Sequence, residues 1–335
     1  GRKVWGEWLG DPLMAQPAIE GRYIYMTYPG GDGHHHLTCR LLETGESLWD
    51  QPLVGEVITA PVVAEGSVYA ACLEGTVYRF DARSGELVWQ EQMNATCAPF
   101  VYAGRVYVSQ REEGEETDEH GRVQYEGLAR LDNRSGEREN DDLWQRRQAD
   151  YLRHSVNVAS RYAAEQSAAD ASVGFSSAPG TAKLEQGQAN LGWGNVSGIW
   201  AYQGSRPVVV AGLSYSTAHD ALVCTDVETG KVLYEKPYQP EGEALGGRLL
   251  TPPSWAGDRL YVGTEDGYVV CYRASDGAEK WRVKVGEPVR FQPVVVGGWV
   301  YVGTDRGSLV AFDTGDASAD GWGMWGGDAA HNAPN

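Results

Sequence analysis

The chain has 335 residues and a formal net charge of −18. So acidic a molecule repels phosphate backbones and anionic membrane surfaces, which argues against nucleic-acid binding, and no apolar run reaches the length that spans a bilayer. Gly is abundant at 43, Trp and Tyr reach 12 and 18, and Phe and Met only 5 and 4; many turns and flat aromatics on pleated surfaces are an all-β signature.

The chain opens on GRKVW, Gly1 to Trp5: a turn glycine followed four residues later by an aromatic. The pattern returns as GESLW at Gly45, GELVW at Gly85, GKVLY at Gly230 and GAEKW at Gly277. A degraded copy starts at Gly136, with Trp144 displaced further along. The base period is a little over 40 residues, which suits propeller blades. Ahead of each glycine lie strands with period-2 alternation: one beginning near Pro (QPAI, APVV, APFV, TPPS, QPVV), one alternating Tyr and Val (YIYMT, SVYAA, RVYVS, RLYVG, WVYVG), and one ending near the turn (VYRFD, LARLD, LVCTD, VVCYR, LVAFD). Each unit reads as strands A, B, C and D joined by tight turns.

Gly at a two-residue C–D turn supplies the φ > 0 conformation of a hairpin. Asp81, Asp132, Asp226 and Asp313 precede the turns and are placed to cap their N–H groups. The aromatics Trp5, Trp49, Trp89, Tyr234 and Trp281 are expected to fill the gaps between wedge-shaped blades, each indole N–H finding a neighbouring carbonyl. A single blade cannot bury both faces, so the blades close radially. The expectation is a single all-β propeller over 1–335 with six four-stranded antiparallel blades, seven being the alternative. Residues 3–9 are read as an orphan D strand completing the last blade; Gly321 to Gly326 is the other candidate for that place.

Two stretches break the repeat. The third blade's B–C connection, REEGEETDEHGRVQYEG, reads as a long acidic loop, and 145–195 reads as an insertion that starts with a helix-like stretch from about Leu143 to Ala169. The A–B and C–D turns are minimal, so the extra material gathers on the B–C and D–A side. Loops on a rigid scaffold are where function is placed, and that side is the expected functional face.

The run Ala311-Phe312-Asp313 and the D-x-x-x-G-x-x-x-W of Asp81, Gly85 and Trp89 resemble the tryptophan-docking repeat of pyrroloquinoline-quinone (PQQ) type propellers, a superfamily that includes the propeller lipoprotein of outer-membrane β-barrel assembly. The ending GWGMWGGDAAHN is similar to the C-terminal end of such bacterial propellers. The resemblance implies an extracytoplasmic bacterial setting, periplasmic or secreted. No signal peptide stands in the chain, whose first residue already lies inside a repeat unit. For the enzymes of the family the resemblance implies PQQ, a bound Ca²⁺, a catalytic Asp and often a vicinal Cys pair. This chain has no vicinal pair and no Asp evidently placed as a base near the axis, which disfavours PQQ and Ca²⁺. Its cysteines (Cys39, Cys72, Cys97, Cys224, Cys271) form no CxxC and read as buried small hydrophobes.

Two ligand constellations are conceivable. Residues just before the strand-A prolines approach the axis: Gln16, Thr59, Cys97, Ser197, Thr251 and Gln292, with Arg290 nearby. This polar lining could hold a small anionic ligand or ordered water. His34, His36, His120 and His219 lie on loops of one face with the acidic run Glu112 to Glu119, and imidazoles with carboxylates could bind a divalent ion. No HxxxH or HExxH spacing supports that. The sequence therefore points first to a non-catalytic scaffold that docks another protein, or another domain of a longer chain, on its loop-rich face. The alternative is a small-molecule or metal-binding quinoprotein-like enzyme or sensor with its site in the funnel.

Overall fold

A computed structural model describes the chain except for residues 10–15, 56, 58, 73, 119–120, 149–205, 219, 241–249, 305 and 334–335. The fold is an all-β propeller of antiparallel sheets. The first sheet is β1 (Ala18–Glu20), β2 (Tyr23–Pro29), β3 (His35–Leu41) and β4 (Ser47–Leu53). The second is β5 (Val62–Ala64), β6 (Ser67–Ala71), β7 (Thr76–Asp81) and β8 (Leu87–Gln92). The third is β9 (Phe100–Tyr102), β10 (Arg105–Asp118), β11 (Gly121–Asp132) and β12 (Trp144–Gln148). Next come β13 (Val208–Val210), β14 (Leu213–Ala218), β15 (Ala221–Asp226) and β16 (Val232–Pro237), then β17 (Ser254–Ala256), β18 (Arg259–Gly263), β19 (Tyr268–Arg273) and β20 (Glu279–Lys284). The sixth sheet has three strands among the described residues, β21 (Val294–Val296), β22 (Trp299–Gly303) and β23 (Leu309–Asp313).

One local device repeats at the C–D turns. Leu41 and Gly45, Asp81 and Gly85, Asp132 and Gly136, and Asp226 and Gly230 each close a turn by a backbone bond from the glycine N–H to the earlier carbonyl. The turns are thus longer than the two residues expected. Asp81 Oδ1 accepts from Arg83 N, Ser84 N and Ser84 Oγ, and Asp132 and Asp226 do the same in their turns. This side-chain cap satisfies turn N–H groups that have no strand partner. Just beyond each turn the aromatic of strand D pairs across the ladder, Cys39↔Trp49, Arg79↔Trp89, Cys224↔Tyr234 and Cys271↔Trp281, and a bulge follows at once.

Those aromatics join neighbouring sheets. Trp49 lies over Gly85 and donates Nε1–H to Ala82 O at 3.1 Å; Trp89 lies over Gly136 and donates to Asn133 O at 2.8 Å. Tyr234 lies over Gly277, with its hydroxyl on Ala274 O at 2.7 Å. Trp144 takes the same seat over Gly230, beneath the Arg130 guanidinium at 4.7 Å. Core clusters accordingly bridge facing sheets; one unites Tyr25, Leu37 and Trp49 of the first with Val63, Val68 and Phe80 of the second. Trp281 departs from the pattern. It packs beside Tyr261 and among Val310 and Phe312, and nothing lies over Gly315.

Several expectations change. Arg111 to Gly127 is not a loop, because β10 and β11 continue through it as one long hairpin. The stretch beginning at Leu143 is not helical where it is described, since Trp144–Gln148 pairs with β11 as a D strand; the rest of the expected 145–195 insertion lies outside the described residues. Gly321 to Gly326 does not extend β23, because Trp322 pairs with Val295 on the opposite, inner edge of the sheet. Residues 1–9 carry no strand assignment. Trp5 nevertheless occupies a docking seat, over Gly45 with Nε1 on Leu42 O at 2.8 Å, and Glu7 reaches Arg40 at 3.7 Å.

The C-terminal segment explains how the inner edges are satisfied. Ile19, Val63, Val101 and Val295 are each the central residue of a three-residue inner strand. Ile19 N donates to Ala329 O, Val63 N to Ala330 O, Val101 N to Asn332 Oδ1, and Val295 N to Trp322 O, at 2.6–2.9 Å. One continuous tail therefore crosses the first, second, third and sixth sheets at the axis and occupies hydrogen-bonding groups that an inner edge would otherwise leave open.

Candidate functional site

At the axis the structure places a polar cluster beneath the tail. Arg206, just ahead of β13, is 1% exposed. Its Nη2 donates to Pro99 O at 3.2 Å and to His331 O at 2.6 Å, and the guanidinium carbon stands 4.6 Å from the Trp325 ring centre and 5.5 Å from that of Phe100. Burial lowers the Arg206 pKa to about 10. His331 lies edge-on to Trp325 at 5.0 Å and donates Nδ1–H to Pro61 O at 2.8 Å. Burial pushes its imidazole down to about 4, so it is neutral at physiological pH. Sequence reading missed Arg206 because nothing in SRP marks a buried cation; the tail's tryptophans were the available signal.

The expected funnel residues have other partners. Thr59 is buried and donates Oγ1–H to Ala71 O at 2.9 Å. Thr251 Oγ1 accepts from Gly263 N at 2.9 Å. Gln292 Nε2 donates to Pro253 O at 2.8 Å, and its Oε1 accepts from Gly326 N at 3.3 Å. Arg290 is paired with Glu265 at 3.0 Å. Gln16 is exposed, and Ser197 lies outside the described residues. Cys97 is buried, with its thiol pushed up to about 11 by burial, and all five cysteines are free. These polar groups stitch strand A to its neighbours.

Among the described residues, His34 and His36 join no common ligand set. His36 stacks on Tyr28 and is bracketed by Asp50, 2.5 Å from Nδ1, and Asp32, 3.1 Å from Nε2. Tyr28 donates to the other Asp50 oxygen at 2.7 Å. Burial alone would lower the His36 pKa, but the two carboxylates outweigh it and the net shift is upward. His34 is exposed, and His120 and His219 lie outside the described residues. Among the described residues no group of three His, Cys, Asp and Glu side chains is arranged to hold a metal ion.

The β10–β11 hairpin is the other distinctive feature. Its strands run 14 and 12 residues, whereas the matching strands of the first sheet have 7 each. Glu115, Glu116 and Thr117 near its tip are exposed. Arg138 pairs with Glu112 at 3.1 Å, and Arg122, opposite Thr117 near the tip, reaches Glu113 at 3.7 Å; exposed Glu115 and Glu116 outnumber it there, so the tip remains acidic.

A family model described as outer membrane protein assembly factor BamB matches residues 1–100 and 239–325, more than half of the chain. The chain belongs to this family. BamB of Yersinia pestis is 30% identical over 90 residues, which is 24% of this chain and 23% of that one. BamB of Pseudomonas aeruginosa is 38% identical over 71 residues, 21% and 19% of the two chains. The alignment thus spans about a quarter of the length of these curated relatives. Among solved structures, BamB from Moraxella catarrhalis superposes with a TM-score of 0.51 at 15% identity, covering 91% of this chain and 75% of that one. A europium-containing methanol dehydrogenase superposes with a TM-score of 0.51 at 13% identity, covering 89% and 54%. Both show the PQQ-like propeller fold and no more. The BamB match stops at residue 100 and resumes at 239, so the long hairpin, Trp144 and Arg206 fall in the unmatched middle. No helix among the described residues is long and apolar enough to cross a membrane.

Proposed function

We propose that this BamB-family propeller is a non-catalytic, extracytoplasmic scaffold that docks another protein on the side of its B–C connections. The observation that carries the reading is the β10–β11 hairpin, which runs well past the length of its counterparts and presents an acidic tip outside the family match. A rigid two-stranded arm with a charged end suits recognition, because its backbone is already ordered and a basic partner is steered to it. The funnel reading is weakened by the tail across four inner strands and by the bonding of Thr59, Thr251 and Gln292 to backbone groups. The printed name of the relatives, outer membrane protein assembly factor, supports proteins of outer-membrane assembly as the proposed partner class and a periplasmic setting as the proposed location.

The test uses photo-crosslinkers at Glu115 and, as a control on the opposite side, at Arg83. The reading expects one discrete crosslinked protein from Glu115 in intact cell envelopes, lost in the Glu115→Lys, Glu116→Lys double variant. Equal labelling from Arg83 would overturn it. Deleting 149–195, the part of the expected insertion beyond β12, tests that segment in the same assay, the proposal being that it shares in docking.

A further inference from the structure

We propose that the axis contains a buried binding site for a small monoanion, a halide or a short carboxylate, centred on Arg206. Arg206 carries an unbalanced charge. An arginine with a pKa near 10 remains a cation at any physiological pH. Among the described residues Arg206 forms no ion pair, and two of its nitrogens, Nε and Nη1, are buried without a hydrogen-bond partner. The acidic group that acts on it, Asp328, is exposed, and its Oδ1 already accepts from Ala330 N and Asn332 N, both at 3.1 Å. A buried, uncompensated cation is strongly unfavourable, and proteins resolve it with a counter-charge.

The surroundings select the class of counter-ion. Trp325 Nε1 is also buried without a partner and belongs to the ring that Arg206 covers. Donors from a guanidinium and an indole, within walls made by Phe100 and Trp325, suit a weakly hydrated monoanion that sheds its water easily. They do not suit a phosphate dianion. Neutral His331, whose Nδ1–H is used on Pro61 O, adds no second positive charge. Arg206 ties Pro99, ahead of the third sheet, to His331 of the tail. An anion seated on it therefore links the tail to the ring, and the seating of the tail becomes anion-dependent.

Thermal unfolding of the full chain tests it at constant ionic strength, with gluconate replaced stepwise by bromide in one series and by acetate in another. Mass action on a specific site raises Tm by roughly 2 °C or more for each tenfold rise of the bound ion above its Kd. The rise is expected with at least one of the two ions and identifies which source of charge the site takes. Arg206→Met is expected to abolish it, and Trp325→Phe, which removes one donor and keeps the ring, to weaken binding several-fold. Crystals of the unaltered protein soaked in bromide should show anomalous density beside the Arg206 guanidinium, a readout that does not depend on Arg206→Met folding. A Tm indifferent to both ions, or equally responsive in Arg206→Met, overturns the proposal, as does density with no accompanying Tm response.

Discussion

Trp49 lies so closely across Gly85 that a Cβ built there would stand 2.6 Å from the indole, while Trp49 Nε1 donates to Ala82 O in the same turn. One glycine thus meets two demands, a left-handed backbone at φ 73° and room for the neighbouring sheet's aromatic. Gly66 has the same φ of 73° with nothing within 4 Å of a Cβ. Gly66→Ala should therefore cost only the conformational term, about 1 kcal/mol. Gly85→Ala adds an overpacking term and should cost about 2–4 kcal/mol. Urea unfolding of the two variants separates the terms.

The first docking seat is made by Trp5, from a segment with no strand of its own. We propose that this side chain joins the two ends of the ring. Trp5 is only partly buried, whereas Trp49 is 8% exposed. Trp5→Ala should cost about 1–3 kcal/mol against about 3–5 kcal/mol for Trp49→Ala. Limited proteolysis should show the Trp5→Ala protein cut first near its ends; an unchanged cleavage pattern would count against the role.

Much of this arrangement was legible because it is local. The glycine and the aromatic lie four residues apart in five copies, with a capping Asp four residues ahead of the glycine at Gly85 and Gly230, so the blade is exposed without tertiary information. Trp144 was harder: it follows Gly136 by twice the usual spacing, yet it sits on Gly230 as the other aromatics sit on their glycines. The acidic hairpin was misread because Glu and Gly have low strand propensity, and cross-strand pairs such as Glu113 with Arg122 carry it as strand. The tail was illegible for another reason. GWGMWGGDAAHN has no alternation, and its partners are inner strands as distant in the chain as that of Ile19, which no window of sequence connects.

Two histidines should give opposite pH slopes. His36 has a raised pKa, since Asp50 and Asp32 outweigh its burial. Its contribution is full below about pH 6.5, the unfolded value, and is lost as pH rises through the folded value. His331, depressed by burial to about 4, works the other way. Stability falls as pH drops from about 6.5 toward 4, because the unfolded chain takes up a proton that the fold refuses; the loss approaches about 3 kcal/mol. Asp50→Asn should lower the His36 titration midpoint followed by NMR and leave the acid limb of a stability–pH curve in place. His331→Gln should flatten that acid limb.

Asn332 gives the tail its most specific test. Its Oδ1 accepts from Val101 N at 2.9 Å and its Nδ2 donates to Val101 O at 2.8 Å. The side-chain amide thus presents the same donor and acceptor pair that a neighbouring strand would, at a place where the tail's own backbone has turned away. Asn332 is fully buried, so neither bond is open to water. Asn332→Ala leaves both backbone groups of Val101 unpaired and should cost about 2–5 kcal/mol. Asn332→Asp keeps the acceptor but loses the donor, sets an oxygen against Val101 O, and brings a carboxyl into a site without room for its solvation. Asp should therefore be at least as damaging as Ala at neutral pH and should recover part of the loss as pH falls toward about 4, because a buried carboxyl takes up its proton above its free value and so regains a donor. Amide exchange at Val101 reads the effect directly: slow exchange in the unaltered protein, faster in both variants, with partial restoration by acid in Asn332→Asp alone once intrinsic rates are corrected for pH. Equal Val101 protection in all three proteins would mean that the tail holds the third sheet by some other bond.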